Sequence, residues 1–177
     1  GWQWASGNLL PSSDPNEISF GLDSDSGDVI RPPAICSGVL DDVRQVDAFK
    51  LLLQKAKKYH LRLYSQELGY QLDSRIRILG PDGSEAARND DRASKKYDSG
   101  MDFTAKVDGE HTVRIEDVAD SASVLHAYSL TIAEAKPGVS LTLATDRFSM
   151  KPSANLEIPV LISRVDGFAD PLQISVA

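Results

Sequence analysis

Acidic and amide side chains crowd into one polar segment of this sequence, between Ala87 and Phe103. The carboxylate and amide side chains in it are Asn89, Asp90, Asp91, Asp98 and Asp102. Calcium takes about six to eight oxygen ligands from carboxylates, amides, backbone carbonyls and water. Because the segment could turn back and bring both groups round one ion, we predict a calcium site here, which Asp73 could join.

A second interpretation of the same segment needs no metal. The carboxylates could be neutralised by the basic side chains beside them, which are Arg88, Arg92, Lys95 and Lys96. Asn and Asp next to strands also commonly form turns in which they accept hydrogen bonds from backbone amides. The segment would then be a solvated loop, and both interpretations stay open at this point.

Tyrosines are the candidate ligand-binding residues. They are Tyr59, Tyr64, Tyr70 and Tyr97. Exposed aromatic rings on a sheet can stack on a sugar or anchor a protein partner. We therefore expect a polysaccharide or a matrix protein as a candidate partner, against the alternative that these are ordinary strand tyrosines with hydrated hydroxyls.

Catalytic motifs are missing from the sequence. It contains no nucleophile elbow around a serine, no H-E-x-x-H and no glycine-rich phosphate loop. Acidic residues are plentiful enough for a hydrolase with paired carboxylates, but nothing selects two of them. We predict that the chain is not an enzyme, and keep the hydrolase as the alternative.

Composition excludes some partners. The chain has 19 Lys and Arg against 26 Asp and Glu, a net charge of -7. Nucleic-acid binders carry a clustered basic footprint, so we expect no nucleic-acid partner. No apolar run approaches the roughly 18 to 20 residues that cross a bilayer as a helix. The single cysteine, Cys36, has no partner for an internal disulfide.

Alternating apolar residues predict the elements that would position these side chains. Ile76 and Ile78 alternate with arginines, and Tyr128, Leu130 and Ile132 share a face. The segment "AFKLLLQKAKKYHLRLY" also has helical spacing, but its alternation favours two strands joined at the lysine cluster. Short strands at near-regular spacing with Gly-containing turns predict an all-β fold, an antiparallel sandwich or jelly roll.

We divide the chain into three parts. Residues 1–33 are an irregular lead-in or the end of a preceding domain, residues 34–135 form the sandwich, and residues 136–177 hold a linker and the first strands of a second, incomplete β unit. The chain begins at Gly1 and stops at "LQISVA", which has the pattern of a strand. We therefore expect it to be a segment of a longer protein whose neighbouring domains are its partners.

The order of several short motifs resembles the bacterial pre-peptidase C-terminal domain. The matching residues are Gly38, Asp47 with Phe49, Leu72 with Asp73, Asp82 with Gly83, Asn89 to Asp91, Asp108 with Gly109, and Tyr128 with Leu130 and Ile132. The resemblance covers roughly residues 34–135. Two features depart from the family: residues 111–113 lack its usual Tyr, and the lysine cluster replaces the usual Gly of the first turn.

The resemblance implies a non-catalytic β-sandwich attached to secreted enzymes and surface proteins, and hence a secreted or cell-surface location in a bacterium. Relatives in bacterial collagenases bind substrate fibres and hold calcium, but the identity of the ligand does not transfer across so diverse a family. The tail from Phe148 is similar to the opening of an immunoglobulin-like domain. We expect a module that spaces, stabilises or targets its neighbouring domains.

Overall fold

The computed structural model describes residues 19–21, 27–93, 97–149 and 156–174. Strands make up nearly all of its regular structure, with a single 3₁₀ turn at Gln66–Leu68. The strands are β1 Ser19–Gly21, β2 Val29–Ile30, β3 Ala34–Val39, β4 Val46–Leu53, β5 Lys58–Tyr64, β6 Ser74–Leu79, β7 Glu85–Asn89, β8 Gly100–Thr104, β9 Gly109–Asp117, β10 Ala127–Glu134, β11 Gly138–Leu143 and β12 Val160–Val165. The predicted all-β class is confirmed.

Two five-stranded sheets form the sandwich. The first sheet has the order β1-β3-β10-β5-β8, and the second has the order β2-β4-β9-β6-β7. Pairing is antiparallel except at one edge of each sheet, where β1 runs parallel to β3 and β2 runs parallel to β4. From β1 to β10, consecutive strands lie in different sheets, except β6 and β7, which pair within the second sheet.

The core lies between the sheets and is built by strict alternation along each strand. In β5, Tyr59, Leu61 and Leu63 point inward, while Lys58, His60 and Arg62 point outward. In β9, Val113 and Ile115 are fully buried. Burial of such side chains is the main favourable term in folding, at roughly 1.5–3 kcal/mol for each large aliphatic side chain. The alternation fixes which polar side chains can reach solvent.

The segment that also had helical spacing forms two strands, β4 and β5, so the strand prediction is confirmed. The turn between them spans residues 54–57, where the lysine cluster lies, and passes from the second sheet to the first, so the two strands do not pair as a hairpin. Ala56 adopts a positive φ of 65°, and its backbone N–H donates to the carbonyl of Ala105 at 2.8 Å. A positive φ is the conformation that glycine adopts without cost, and the resembled family has glycine in this turn.

The predicted lead-in contains two strands that pair with the sandwich. Strand β1 adds an edge to the first sheet and β2 adds an edge to the second. The other parts of the lead-in, residues 1–18 and 22–26, lie outside the described residues. Strands β1 and β2 are therefore edge strands of the sandwich, although the division of the chain into three parts stays a prediction.

A second compact unit spans Ala135–Ala177. In its described part, β11 and β12 form an antiparallel pair in which Leu141 lies opposite Ile162. Both side chains are more than 40 % exposed. The sequence placed Ile158 in the second strand, but β12 begins at Val160. Across the described ranges, no helix is both long and apolar enough to cross a bilayer.

Candidate functional site

Asp98 is the most deeply buried carboxylate of the predicted calcium segment, with a relative exposure of 1 %. Its two oxygens accept hydrogen bonds from the backbone N–H groups of Gln66 and Glu67, at 2.8 and 3.0 Å. These are free donors at the start of the 3₁₀ turn, where no carbonyl of the turn can reach them. Asp98 therefore joins two loops, and its oxygens are already in use.

Arg92 closes the same loop. Its Nε donates to the carbonyl of Asp98 at 3.2 Å, and its Nη2 lies 2.7 Å from Glu67 Oε1. The guanidinium carbon lies 5.1 Å from the centroid of the Tyr64 ring. Of the basic residues named as neutralisers of the segment, Arg92 thus contacts its acids directly, while Lys95 and Lys96 lie outside the described residues.

Gly100 lets the loop return close to the sheet. Its N–H donates to Asn89 Oδ1 at 3.1 Å, and Asn89 Nδ2 donates to the carbonyl of Asp91 at 3.0 Å. A Cβ on Gly100 would lie 2.9 Å from the Arg92 side chain and 3.0 Å from the Leu61 carbonyl oxygen. Asn89 therefore acts as the turn-forming amide that the second interpretation of the sequence describes.

Asp102 points to the outer face of the first sheet. Its carboxylate lies 3.1 Å from Lys58 Nζ, 2.7 Å from His60 Nδ1 and 2.7 Å from Arg62 Nη2. Partial burial alone would raise the pKa of Asp102, but the hydrogen bonds from Arg62, His60 and Lys58 outweigh it and hold that pKa well below its usual range. A carboxylate surrounded by cations is a poor calcium ligand.

Three of the predicted calcium ligands have not yet been described, namely Asp73, Asp90 and Asp91. Asp73 is half-buried, and Asp90 and Asp91 are exposed. Burial raises the pKa of Asp73, and the charges of Asp91, Asp117 and Asp90 raise it further. These carboxylates therefore lie close enough to repel one another, which is the electrostatic condition that a bound cation relieves.

The six predicted ligands do not fit one calcium ion as a set. Asp98 is occupied by backbone amides, Asn89 by the loop, and Asp102 by cations on the first sheet. Within residues 27–93, 97–149 and 156–174, no three His, Cys, Asp or Glu side chains are gathered as a metal site. Calcium binding itself stays a prediction, and its candidate ligands reduce to Asp73, Asp90 and Asp91.

The tyrosines predicted to bind a ligand have different environments. Tyr59 is 3 % exposed and belongs to the core, where its hydroxyl accepts a hydrogen bond from the Gln54 N–H at 3.0 Å. Tyr64 is half-buried with Arg92 over its ring. Tyr70 and Tyr97 are 42 % and 51 % exposed. Tyr70 and Tyr97 thus present exposed rings to a ligand, whereas Tyr59 does not.

Tyr70 lines a groove of about 590 Å³ beside the first sheet. The other residues that line it are Ser37, Gly38, Val39, Leu68, Ala127, Tyr128 and Ser129. Its volume lies in the range of small-ligand sites. Val39 and Leu68, at 40 % and 58 % exposure, add apolar surface. An aromatic ring beside serine hydroxyls is a combination that sugar rings and peptide side chains can both contact.

The sequence analysis did not recognise that Tyr128, Asp47 and Gln45 form one hydrogen-bonded polar group behind this groove, in which Tyr128 and Asp47 are buried. The Tyr128 hydroxyl donates to Asp47 Oδ2 at 2.5 Å, and Gln45 Nε2 donates to Asp47 Oδ1 at 2.9 Å. Burial, followed by the hydrogen bond and charge of Asp47, raises the pKa of Tyr128 far above its ordinary value. The family motifs named Gly38, Asp47 and Tyr128 separately, and the structure places them together.

Gly38 is required by that hydrogen bond. A Cβ at this position would lie 2.6 Å from the Tyr128 hydroxyl oxygen and also inside contact distance of Asp47 Oδ2. Real Cβ atoms do not approach a polar atom so closely, so any larger residue would displace the pair. The contact explains in physical terms why glycine occupies this position near the end of β3.

Asp117 holds a third loop. Its oxygens accept hydrogen bonds from the backbone N–H groups of Ala119 and Ser121 and from the Ser121 hydroxyl. His126 Nδ1 lies 3.5 Å from Asp117 Oδ2. The buried carboxylates of the described chain, Asp47, Asp98 and Asp117, are therefore each an acceptor for fixed donors of a turn or loop.

No protein-family model matches the sequence, and a search of curated proteins finds no match. Among solved structures, the chain is similar to the pre-peptidase C-terminal domain of a collagenase from Bacillus anthracis, with 13 % identity over 68 % of this chain and 99 % of that chain and a TM-score of 0.47. It is also similar to PliG of Aeromonas hydrophila, a periplasmic inhibitor of g-type lysozyme, with 7 % identity over 67 % and 99 % of the two chains and a TM-score of 0.43. PliG of Salmonella Typhimurium has 15 % identity over 62 % and 99 %, and a TM-score of 0.40. The domain type that the sequence motifs resemble is thus among the solved structures to which this chain is similar.

Proposed function

We propose that this chain is a non-catalytic β-sandwich module of a large exported or cell-surface bacterial protein, which spaces, stabilises or targets neighbouring domains. The observation that carries this proposal is the use of the buried carboxylates. Asp47, Asp98 and Asp117 each accept hydrogen bonds from fixed donors within the fold. A general acid or base must instead have a proton site open to a substrate.

The acidic loop contributes to this function by rigidifying the module. Asp98 and Arg92 already join it to the 3₁₀ turn, and we propose that calcium, held by Asp73, Asp90 and Asp91, would further join the loop to the start of β6. The raised pKa of Asp73 supports this proposal, because a cation would relieve the repulsion that raises it. Drawing these carboxylates round one ion requires a movement of the exposed loop.

The calcium proposal is tested by thermal melts of the chain in calcium and in chelator. An ion at about a hundred times its dissociation constant adds about 2.7 kcal/mol to the free energy of unfolding, which raises the melting temperature by several degrees. We expect Asp73→Asn and Asp91→Asn to abolish the rise. Glu110→Gln, a carboxylate on β9 that pairs with Lys50, should keep it. Coincident melts of the unaltered chain in calcium and in chelator would exclude the ion.

The non-catalytic assignment has its own test. Hydrolytic activity of the purified chain on polysaccharide or peptide substrates, if lost in Asp47→Asn or Asp117→Asn with the fold retained, would overturn it. We expect no turnover above the rate without protein. Circular dichroism of each variant shows whether the sandwich is retained.

A binding role for the Tyr70 groove is the second candidate function. It is favoured by the exposed Tyr70 ring beside Ser37 and Ser129 in a groove of about 590 Å³. We propose a neutral sugar unit of a polysaccharide or a side chain of a matrix protein as its occupant. Tyr70→Ala should weaken retention on such a polymer about tenfold, because stacking on an aromatic ring contributes about 1 kcal/mol or more. Tyr97→Ala, an exposed ring outside the groove, is the matched control.

A further inference from the structure

The outer face of the second sheet carries a row of arginines. Arg77 on β6 lies directly opposite Arg88 on β7 and directly opposite Arg114 on β9. Neighbouring strands are about 4.8 Å apart, so these side chains emerge side by side on one face. Like charges directly opposite each other in a sheet are destabilising. The row therefore has an electrostatic cost that anions must offset.

The carboxylates of this face form short ion pairs only with Arg77, the middle arginine of the row. Arg77 Nε lies 2.7 Å from Glu85 Oε2, and Arg77 Nη1 lies 3.0 Å from Glu116 Oε1. Arg88 approaches Glu85 only to 3.9 Å, with 73 % of its side chain exposed. Its guanidinium donors are thus turned to solvent at one end of the row.

Arg114 has less compensation still. Its Nε is buried and has no hydrogen-bond partner in the described part of the chain. An N–H taken out of water without an acceptor costs stability. The residue opposite it on β4 is Ala48, which offers no acceptor side chain. Arg114 as a whole is only half-buried, so an external anion can contact its terminal nitrogens, whereas the buried Nε stays out of reach.

We propose that this arginine row, Arg88, Arg77 and Arg114, binds an anionic polysaccharide that carries carboxylate or sulfate groups. A guanidinium presents a planar pair of donors that matches such groups. The row carries three positive charges against two glutamates, Glu85 and Glu116, that pair with Arg77, so this face keeps a local positive charge although the whole chain has a net charge of -7. Regularly spaced donors on a sheet match regularly spaced anions along an extended polymer.

A protein partner fits this face less well. Protein interfaces usually depend on aromatic anchors that enter a pocket. The uncharged outward residues beside the row include Ala48, Thr112 and Leu79, none of which is aromatic. The inference goes beyond the proposed function, because it holds or fails regardless of calcium and of Tyr70.

Binding is measured by calorimetry with polygalacturonate, which carries carboxylates, and with dextran sulfate, which carries sulfates; neutral dextran is the blank. We expect at least one anionic polymer to bind, more weakly as salt rises. The double variant Arg88→Gln/Arg114→Gln should bind at least about tenfold more weakly. Each arginine makes charge-assisted contacts to the polymer, and the loss of two such contacts together weakens binding by about that factor. The pair Lys55→Gln/Lys106→Gln, with the same change in net charge in two turns that pass between the sheets, should change binding less than about twofold.

Three results would overturn the proposal. They are no binding of the unaltered chain to either anionic polymer, equal loss in the arginine and lysine pairs, or polyglutamate binding as tightly as the polysaccharides. The last result would assign the row to an acidic peptide instead. If the double variant does not fold, Arg114→Lys replaces it in the binding measurement. This variant keeps the positive charge but removes the planar pair of guanidinium donors, so it should also bind the polymer more weakly. Loss of polysaccharide binding in Tyr70→Ala but not in the arginine variants would place the site in the groove.

Discussion

At the scale of single residues, polar side chains inside the sandwich determine how its turns are held. Asp47, Asp98 and Asp117 are buried, and each accepts hydrogen bonds from groups that would otherwise lack a partner. A buried acceptor left unsatisfied costs about 1–3 kcal/mol, more when it is charged. The three buried carboxylates thus serve as acceptors within the fold, whereas exposed ones such as Asp102 and Glu110 pair with cationic side chains.

The bond between Tyr128 and Asp47 should be worth a measurable part of the stability. We expect Tyr128→Phe to lower the free energy of unfolding by about 1.5–3 kcal/mol, because it leaves one carboxylate oxygen of Asp47 without its donor. Urea melts measure the loss. Tyr70→Phe, which removes an exposed hydroxyl, is the matched control and should change stability by less than about 0.5 kcal/mol.

Gly38→Ala tests the same contact from the other side. Its Cβ would lie 2.6 Å from the Tyr128 hydroxyl oxygen, so overpacking should cost about 1–3 kcal/mol. In the Tyr128→Phe background the added cost should be smaller, because one of the three clashing atoms, the hydroxyl oxygen, is gone. Strictly additive losses would show that Gly38 and Tyr128 are not coupled.

Asp73 should show a stability effect whose sign depends on calcium. Its pKa is raised in the folded state, so its ionised form opposes folding above that pKa, and the cost disappears as the pH falls below the ordinary value of an aspartate. In chelator at neutral pH, Asp73→Asn should therefore raise the melting temperature, by a few degrees at most because solvent screens the charge. In calcium it should lower it.

The pH profile separates this effect from a general change in packing. The difference between Asp73→Asn and the unaltered chain in chelator should vanish in acid, below the ordinary pKa of aspartate, where both side chains are neutral. Asp42→Asn, a change of the same charge in the turn before β4, gives the background. A difference that persists unchanged in acid would show that the charge of Asp73 is not its cause.

At the scale of elements, alternation is what the sequence conveys well. The period of two along β4 and β5 predicted two strands where helix formers abound, and the structure has both, in different sheets. The same alternation places Tyr59 on the buried face of β5 with Leu61 and Leu63. It also places Asp102 on the outward face of β8, because its neighbour Phe103 faces the core. Had the alternation been followed through each site residue, Tyr59 would have been excluded from the surface and Asp102 from the loop.

Features that depend on distant contacts were not readable in the sequence. The edge strands β1 and β2 are three and two residues long, too short to show a period, and their parallel pairing follows from the sheets they join. The capping of the 3₁₀ turn by Asp98 bridges residues that are 32 and 31 apart. No local pattern distinguishes such an acceptor from a calcium ligand, because both are an aspartate in a polar loop.

The turn between β4 and β5 yields a prediction at this scale. Ala56 has a φ of 65°, which costs an L-residue about 1–2 kcal/mol, whereas glycine adopts it freely. Ala56→Gly should therefore raise the free energy of unfolding by about 0.5–1 kcal/mol after the entropy of glycine is subtracted. Ala133→Gly, in the regular strand β10, should lower it by a similar amount. Loss of stability in both variants would show that the turn is not strained.

At the scale of the whole molecule, the chain consists of two compact units that meet in sequence between Glu134 and Ala135. Both five-stranded sheets and the entire core cluster, from Ala34 to Ile132, lie in the first unit. The described part of the second unit is a strand pair whose apolar side chains are largely exposed. A two-stranded sheet alone is marginally stable, so the stability of the molecule resides in the sandwich.

A chain shortened to residues 1–134 should therefore unfold at nearly the temperature of the full chain, within about 2 °C, since no strand pairing of the sandwich is removed. Circular dichroism melts measure this, and ending the chain at residue 126 provides the control. That further cut removes β10, which lies between β3 and β5 in the first sheet, so the sandwich should not form at all. A drop of more than about 5 °C on removing residues 135–177 would instead mean that the second unit stabilises the sandwich, and the role of this module as an independent spacer would fail with it.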